Sequence, residues 1–154
     1  MKSIKLYFYS LAVALLVLSG CAVEPQTIPY GQANCAHCNM TVADNRYGAE
    51  LVNDKGKPYF FDSAECLIAY VNEQPEQGEK AAYLLVSDFT KPGELIDARS
   101  AAFLQAKALP SPMGMYLTAV ADNAAAKQML QEYGGRLLNW EEAAKAVRND
   151  ERPE

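Results

Sequence analysis

Residues 47–52 and 57–61 carry the alternating aliphatic and aromatic side chains of two strands, and Asn53-Asp54-Lys55-Gly56 between them is a turn signal. The pattern predicts a β-hairpin. The period then changes. Ala64, Leu67, Ile68 and Val71 recur at helical spacing, with Asp62 as the expected N-cap and Glu65 three residues on completing a capping box. This helix should end near residues 73–75, before the apolar, β-branched stretch 82–87 resumes as a strand. The second half repeats the order. Weaker and stronger strand patterns at 101–106 and 115–120 precede Asp122, which caps a helix whose buried face is Ala126, Met129, Leu130 and Tyr133. Gly134-Gly135 stops it, 136–138 is a short strand, and Asn139 with Glu142 opens a last helix carrying Ala143, Ala144 and Val147. The polar end 148–154 is expected to fray. The predicted fold is therefore α+β: two ββαβ units, about 35–90 and 91–150, with a C-terminal helix.

The N-terminus has a different texture. Lys2 and Lys5 precede an apolar run from Leu11 to Leu18, the length of a signal-peptide core and too short to span a bilayer. Leu18-Ser19-Gly20-Cys21 is similar to the lipobox of bacterial lipoproteins. It predicts cleavage after residue 20 and a lipidated Cys21, since several acyl chains on one residue anchor durably. Ala22 in place of aspartate points to the outer membrane, with the protein facing the periplasm. Two prolines, a glycine and amides make 21–34 an irregular tether. The formal charge of −5 becomes more negative once Lys2 and Lys5 are removed. No basic patch is present, which argues against nucleic acid as a partner. A monomer is expected.

Candidate chemistry concentrates in Cys35-Ala36-His37-Cys38-Asn39-Met40, two thiols, the chain's single histidine and a thioether. With Cys21 lipidated, three thiols remain, an odd number that cannot close a disulfide framework. Cys66 reads as a buried, inert thiol. A structural zinc site needs four ligands in a closed tetrahedron. Cys35, His37, Cys38 and Cys66 would have to supply them, and His37 between two cysteines fits poorly. Thiol-disulfide exchange through Cys35 and Cys38 lacks the preceding strand and following helix of a thioredoxin-like start. Covalent haem attachment would need histidine where Asn39 stands. Cu(I) accounts for more residues, because thiolates and thioethers are soft ligands. In an extended chain Cys38 and Met40 would point to one side, and Met113-Gly114-Met115, behind the stiff Pro110-Ser111-Pro112 connector, offers the same spacing. The candidate metal residues are thus Cys38, Met40, Met113, Cys35 and His37, with no catalytic residue.

The ordered set Cys21, Cys35-x-x-Cys38-x-Met40, Phe61-Asp62 with Cys66, Val86-Ser87-Asp88, Ile96-Asp97-Ala98, Pro112-Met113-Gly114 and Tyr133-Gly134-Gly135 resembles the NosL copper lipoproteins. These are accessory factors for the copper centres of nitrous oxide reductase in denitrification. The resemblance implies a membrane-anchored Cu(I) metallochaperone, not an enzyme, with a fold similar to organomercury lyase. It implies Cys38 and Met40 as ligands, with Met113 a third, and nitrous oxide reductase or its maturation machinery as partner. Ala36 and Asn39 depart from the family's usual Pro and Gly. A periplasmic thiol-disulfide oxidoreductase using Cys35 and Cys38 is the competing function. Cleavage of carbon–mercury bonds, the chemistry attached to the fold, would also need a placed acid.

Overall fold

A computed structural model of the chain describes residues 22–153. The predicted signal peptide 1–20 and Cys21 lie outside the described residues. The first unit runs β1 (Ala49–Asn53), β2 (Pro58–Phe61), α1 (Ala64–Glu73), α2 (Pro75–Glu79), β3 (Ala81–Ser87) and β4 (Leu95–Asp97). The second runs β5 (Ala102–Gln105), β6 (Leu117–Val120), α3 (Asn123–Tyr133), β7 (Arg136–Leu138) and α4 (Trp140–Arg148). The sheets are antiparallel, in the orders β2-β1-β3-β4 and β6-β5-β7. In each, a hairpin's first strand is central and takes its third partner from the strand after the helix. The expected repeat of ββαβ order is thus a repeat of topology, and the fold is α+β.

Alternation within the strands decides what each sheet faces. Ala49 and Leu51 on β1, with Leu84 and Val86 on β3, share one buried cluster with Leu67 and Ile68 of α1. The same cluster contains Phe103, Leu117, Ala119 and Leu138 of the second sheet and Ala143 and Ala146 of α4. Helices α1 and α4 therefore lie between the sheets. The far face of the second sheet, with Leu104 and Val120, is covered by Ala126 and Met129 of α3. Gly135 follows α3 with φ 92° and would carry a Cβ 2.1 Å from the Gln105 carbonyl oxygen, so only glycine lets β7 approach β5 there.

Several expectations shift. The α1 N-cap is Ser63, whose side chain accepts from the Cys66 N–H; Asp62 and Glu65 are released from capping and turn to other partners. Pro75 starts a second short helix, α2, as proline does at a first helical position. β4 joins the first sheet, which carries that sheet past the 90/91 division. β6 begins at Leu117 because Tyr116 adopts φ 61°, which no strand residue does. The polar end is not frayed up to Arg152. The buried Gln105 amide donates to the Glu151 carbonyl at 2.7 Å, and Arg152 Nη1 reaches the Gly114 carbonyl. Residues 22–34 form no strand or helix, but Ile28 is buried, and the Gln26 N–H donates to Glu50 at 2.9 Å.

Candidate metal centre

The sulfur-bearing segment is a closed loop. Asn34 and Thr41 form an antiparallel bridge, the Cys35 N–H donates to the Met40 carbonyl at 2.7 Å, and the Asn39 N–H donates to the Cys35 carbonyl at 3.0 Å. Reversing the chain within so few residues requires a left-handed residue, and Asn39 supplies it at φ 63°. Asparagine is among the few side chains that tolerate this region, so it can stand where the family usually has glycine. The extended geometry expected for Cys38 and Met40 does not occur, since residues 36–38 form the turn. The Ala36 N–H donates to the Phe60 carbonyl, fastening the loop to β2.

β2 runs directly into Asp62, the Ser63 cap and α1. Asp62 lies just before the cap, and Cys66 lies in the first turn of α1. Loop and helix start thus converge. One ligand atom each from Cys35, Cys38, Asp62 and Cys66 lie within 4.8 Å of one another. Cys35, Asp62 and Cys66 are buried and Cys38 is half-buried, and all three thiols are free. The Cys38 thiol donates to Asp62 Oδ2 at 3.5 Å, while Asp62 Oδ1 is buried with no hydrogen-bond partner.

The three thiols differ electrostatically. Cys35 is lowered to about 6, chiefly by the hydrogen bond from Cys66; burial opposes this, and the backbone N–H groups of Cys38, Asp62 and His37 support it. Cys66 is pushed up because it is the donor in that bond, because it is buried, and because Asp62 is beside it. Burial raises Cys38 as well. The surroundings thus favour the thiolate at Cys35 and the thiol at Cys38 and Cys66, and a metal must displace the protons that remain.

The other candidates are distributed around this group. His37 Nε2 lies 3.2 Å from Glu73 Oε1, and Nδ1 is buried without a partner. Met40, two residues beyond Cys38, is 53% exposed, the one large apolar side chain so open among the described residues. Met113 is half-buried and packs against the cluster that contains Cys35 and Cys66. Its N–H donates to Glu65 Oε2 at 3.1 Å. Sequence reasoning misses three members of the neighbourhood, since it reads Cys66 as inert and Asp62 and Glu65 as a capping box. The available signal was a carboxylate and a thiol on either side of one helix cap, Asp62 and Cys66.

Among the described residues no helix is long and apolar enough to cross a membrane. The sequence profile of the NosL family matches residues 27–147. The copper-binding lipoprotein NosL of Stutzerimonas stutzeri is 33% identical over 121 residues, 73% of this chain and 63% of that protein. The chain therefore spans less than two thirds of that relative's length. The crystal structure of the copper chaperone NosL from Shewanella denitrificans matches with a TM-score of 0.67 at 23% identity, covering 79% of this chain and 96% of that one. At that identity the match speaks for the fold.

Proposed function

This chain belongs to the NosL family, and on that premise we propose that it is a Cu(I) metallochaperone and not an enzyme. It would be held at the periplasmic face of a membrane by lipid on Cys21, and would deliver copper for the centres of nitrous oxide reductase. The observation that carries the reading is the gathering of three free thiols within 4.8 Å at a loop and a helix start. Thiolates are soft donors and suit Cu(I). Cys35, Cys38 and Cys66 would bind the ion as thiolates. Asp62, a hard oxygen donor, would accept hydrogen bonds at the rim of the site. Met40 and Met113 would add thioether sulfur, which needs no deprotonation, and Met40 is exposed enough to meet a recipient. His37, whose Nε2 is held towards Glu73, lies outside the group of four and would join only by moving towards it.

The arrangement suits transfer. Cys38 and Met40 sit on an open loop, whereas Cys35 and Cys66 are fixed in the core. A recipient could add a ligand from the loop side and draw the ion off stepwise. The lowered Cys35 and its two thiol neighbours also favour disulfide exchange as a second reading.

Titration of the purified, reduced chain with Cu(I) tests both. One ion per chain is expected, with a sulfur-dominated X-ray absorption spectrum. Serine at Cys35, Cys38 or Cys66 should each weaken binding at least as much as loss of a supporting group does, roughly 100-fold at the upper end. Coordination by nitrogen and oxygen alone would sink the copper reading. Catalytic insulin reduction by the copper-free chain would favour the second.

A further inference from the structure

We propose that Glu65 is a positioning residue of the metal site: its buried carboxylate holds the 110–117 loop of the second unit against the helical turn that carries Cys66, and thereby sets Met113 in place as a thioether donor. The inference rests on the copper reading above and deepens it. Glu65 is 2% exposed. Its Oε1 accepts from the Ser111 hydroxyl and from the Leu117 N–H at 3.1 Å, and its Oε2 accepts from the Met113 N–H at 3.1 Å. No cation pairs with it among the described residues. Burying a carboxylate without a counter-charge is costly, and apolar residues would join two packed units at lower cost. What an apolar residue could not do is fix a backbone by its N–H groups.

The loop is held from its other sides as well. Tyr47 donates to the Pro110 carbonyl at 2.9 Å, Gln105 Nε2 to the Met115 carbonyl at 2.9 Å, and Arg152 Nη1 to the Gly114 carbonyl at 3.2 Å. Between these contacts Tyr116 is kept at φ 61°, a conformation that bulky residues avoid. Its N–H donates to Ser111 Oγ at 2.7 Å, the same hydroxyl that Glu65 accepts from. Strain of this kind persists only where surrounding contacts impose it, and it gathers at functional sites. Local preference therefore does not choose the loop's shape; the clamp does. Glu65 directly precedes Cys66 in the first turn of α1, so one rigid turn fixes both a thiol of the site and the backbone of Met113. Mutation of outer groups that orient ligands in this way typically costs roughly 10- to 100-fold in metal affinity.

A double-mutant cycle on the full chain tests this, reading Cu(I) affinity by competition with a chromogenic chelator. Glu65→Gln puts an amide N–H₂ against backbone N–H donors and should loosen binding roughly tenfold. Met113→Leu should cost about the same, and the double variant should bind no worse than Met113→Leu alone. The X-ray absorption spectrum of copper-loaded Glu65→Gln should lose a sulfur neighbour. If Glu65→Gln does not fold, Ser111→Ala, which removes one partner of the clamp, takes its place in the cycle. A Glu65→Gln loss of the same size with Met113 present and in the Met113→Leu background, or an unchanged sulfur count beside a lower melting temperature, would overturn the proposal. So would a chain that binds Cu(I) through its cysteines while both single variants match it, and the copper reading would then stand. A chain that takes up no Cu(I) at all overturns both.

Discussion

Glu50 sits on the central strand of the first sheet, fully buried. Oε1 accepts the Gln26 N–H, Oε2 has no partner, and burial raises the carboxyl above its ordinary 4.5. The folded chain thus holds the proton more tightly than the unfolded chain. Stability is full below pH 4.5 and is lost as pH rises through the higher folded value. A protonated carboxyl and an amide have the same shape. Glu50→Gln should therefore be near neutral below pH 4.5 and stabilising by about 1 kcal/mol at pH 7; melting temperatures of both proteins across that range would show it, and a pH-independent difference would refute it. The same scale sets what could be read of the site. Cys35, Cys38, Met40 and Met113 attract notice by element type and local spacing. Asp62 and Ser63 are both good caps one residue apart, and only the backbone at Ser63, extended at φ −155°, decides between them. That choice is what frees Asp62 for the thiols and Glu65 for the second unit, so a shift of one residue concealed half of the site's surroundings.

At the scale of elements, the hairpin, α3 and α4 were legible because their periods agreed with their turn and cap signals, and α1 because its period and breaker marked it although its cap is Ser63. β4 was not, since three residues carry no period and its strand character comes from pairing with β3. α2 was hidden behind a proline that ends one helix and begins another. α1 matters most, because its first turn holds Glu65 and Cys66 and is capped by Ser63 alone, with no capping box. Ser63→Ala removes that acceptor and should cost about 1 kcal/mol. Because the frayed turn bears the thiol, Cu(I) affinity should fall together with the melting temperature. Asn139→Ala, which breaks the capping box of α4, should cost similar stability and leave copper affinity almost unchanged. Equal effects of the two variants on copper would mean that the start of α1 has no special tie to the site.

On the scale of the molecule, the repeated topology invites the thought that each unit could stand alone, as the sequence division into 35–90 and 91–150 suggests. The packing argues otherwise. The inner faces of both sheets close on one cluster through α1 and α4, so Leu51, Leu67 and Val86 share their contacts with Phe103, Leu117 and Ala143. Separating the units would expose that face on each, and small domains cannot lose so much apolar burial and remain folded. The Glu65 carboxylate would also lose Ser111, Met113 and Leu117 together. A fragment ending after β4, residues 22–100, is expected to show no cooperative thermal transition. The whole chain should unfold in one step, with calorimetric and van't Hoff enthalpies equal. Cu(I) that bridges cysteines of the first unit and Met113 of the second should raise that single transition without splitting it, by about 2.7 kcal/mol at a free concentration 100 times the Kd. Two resolved transitions, with copper shifting only the first, would mean that the metal and the core belong to the first unit alone.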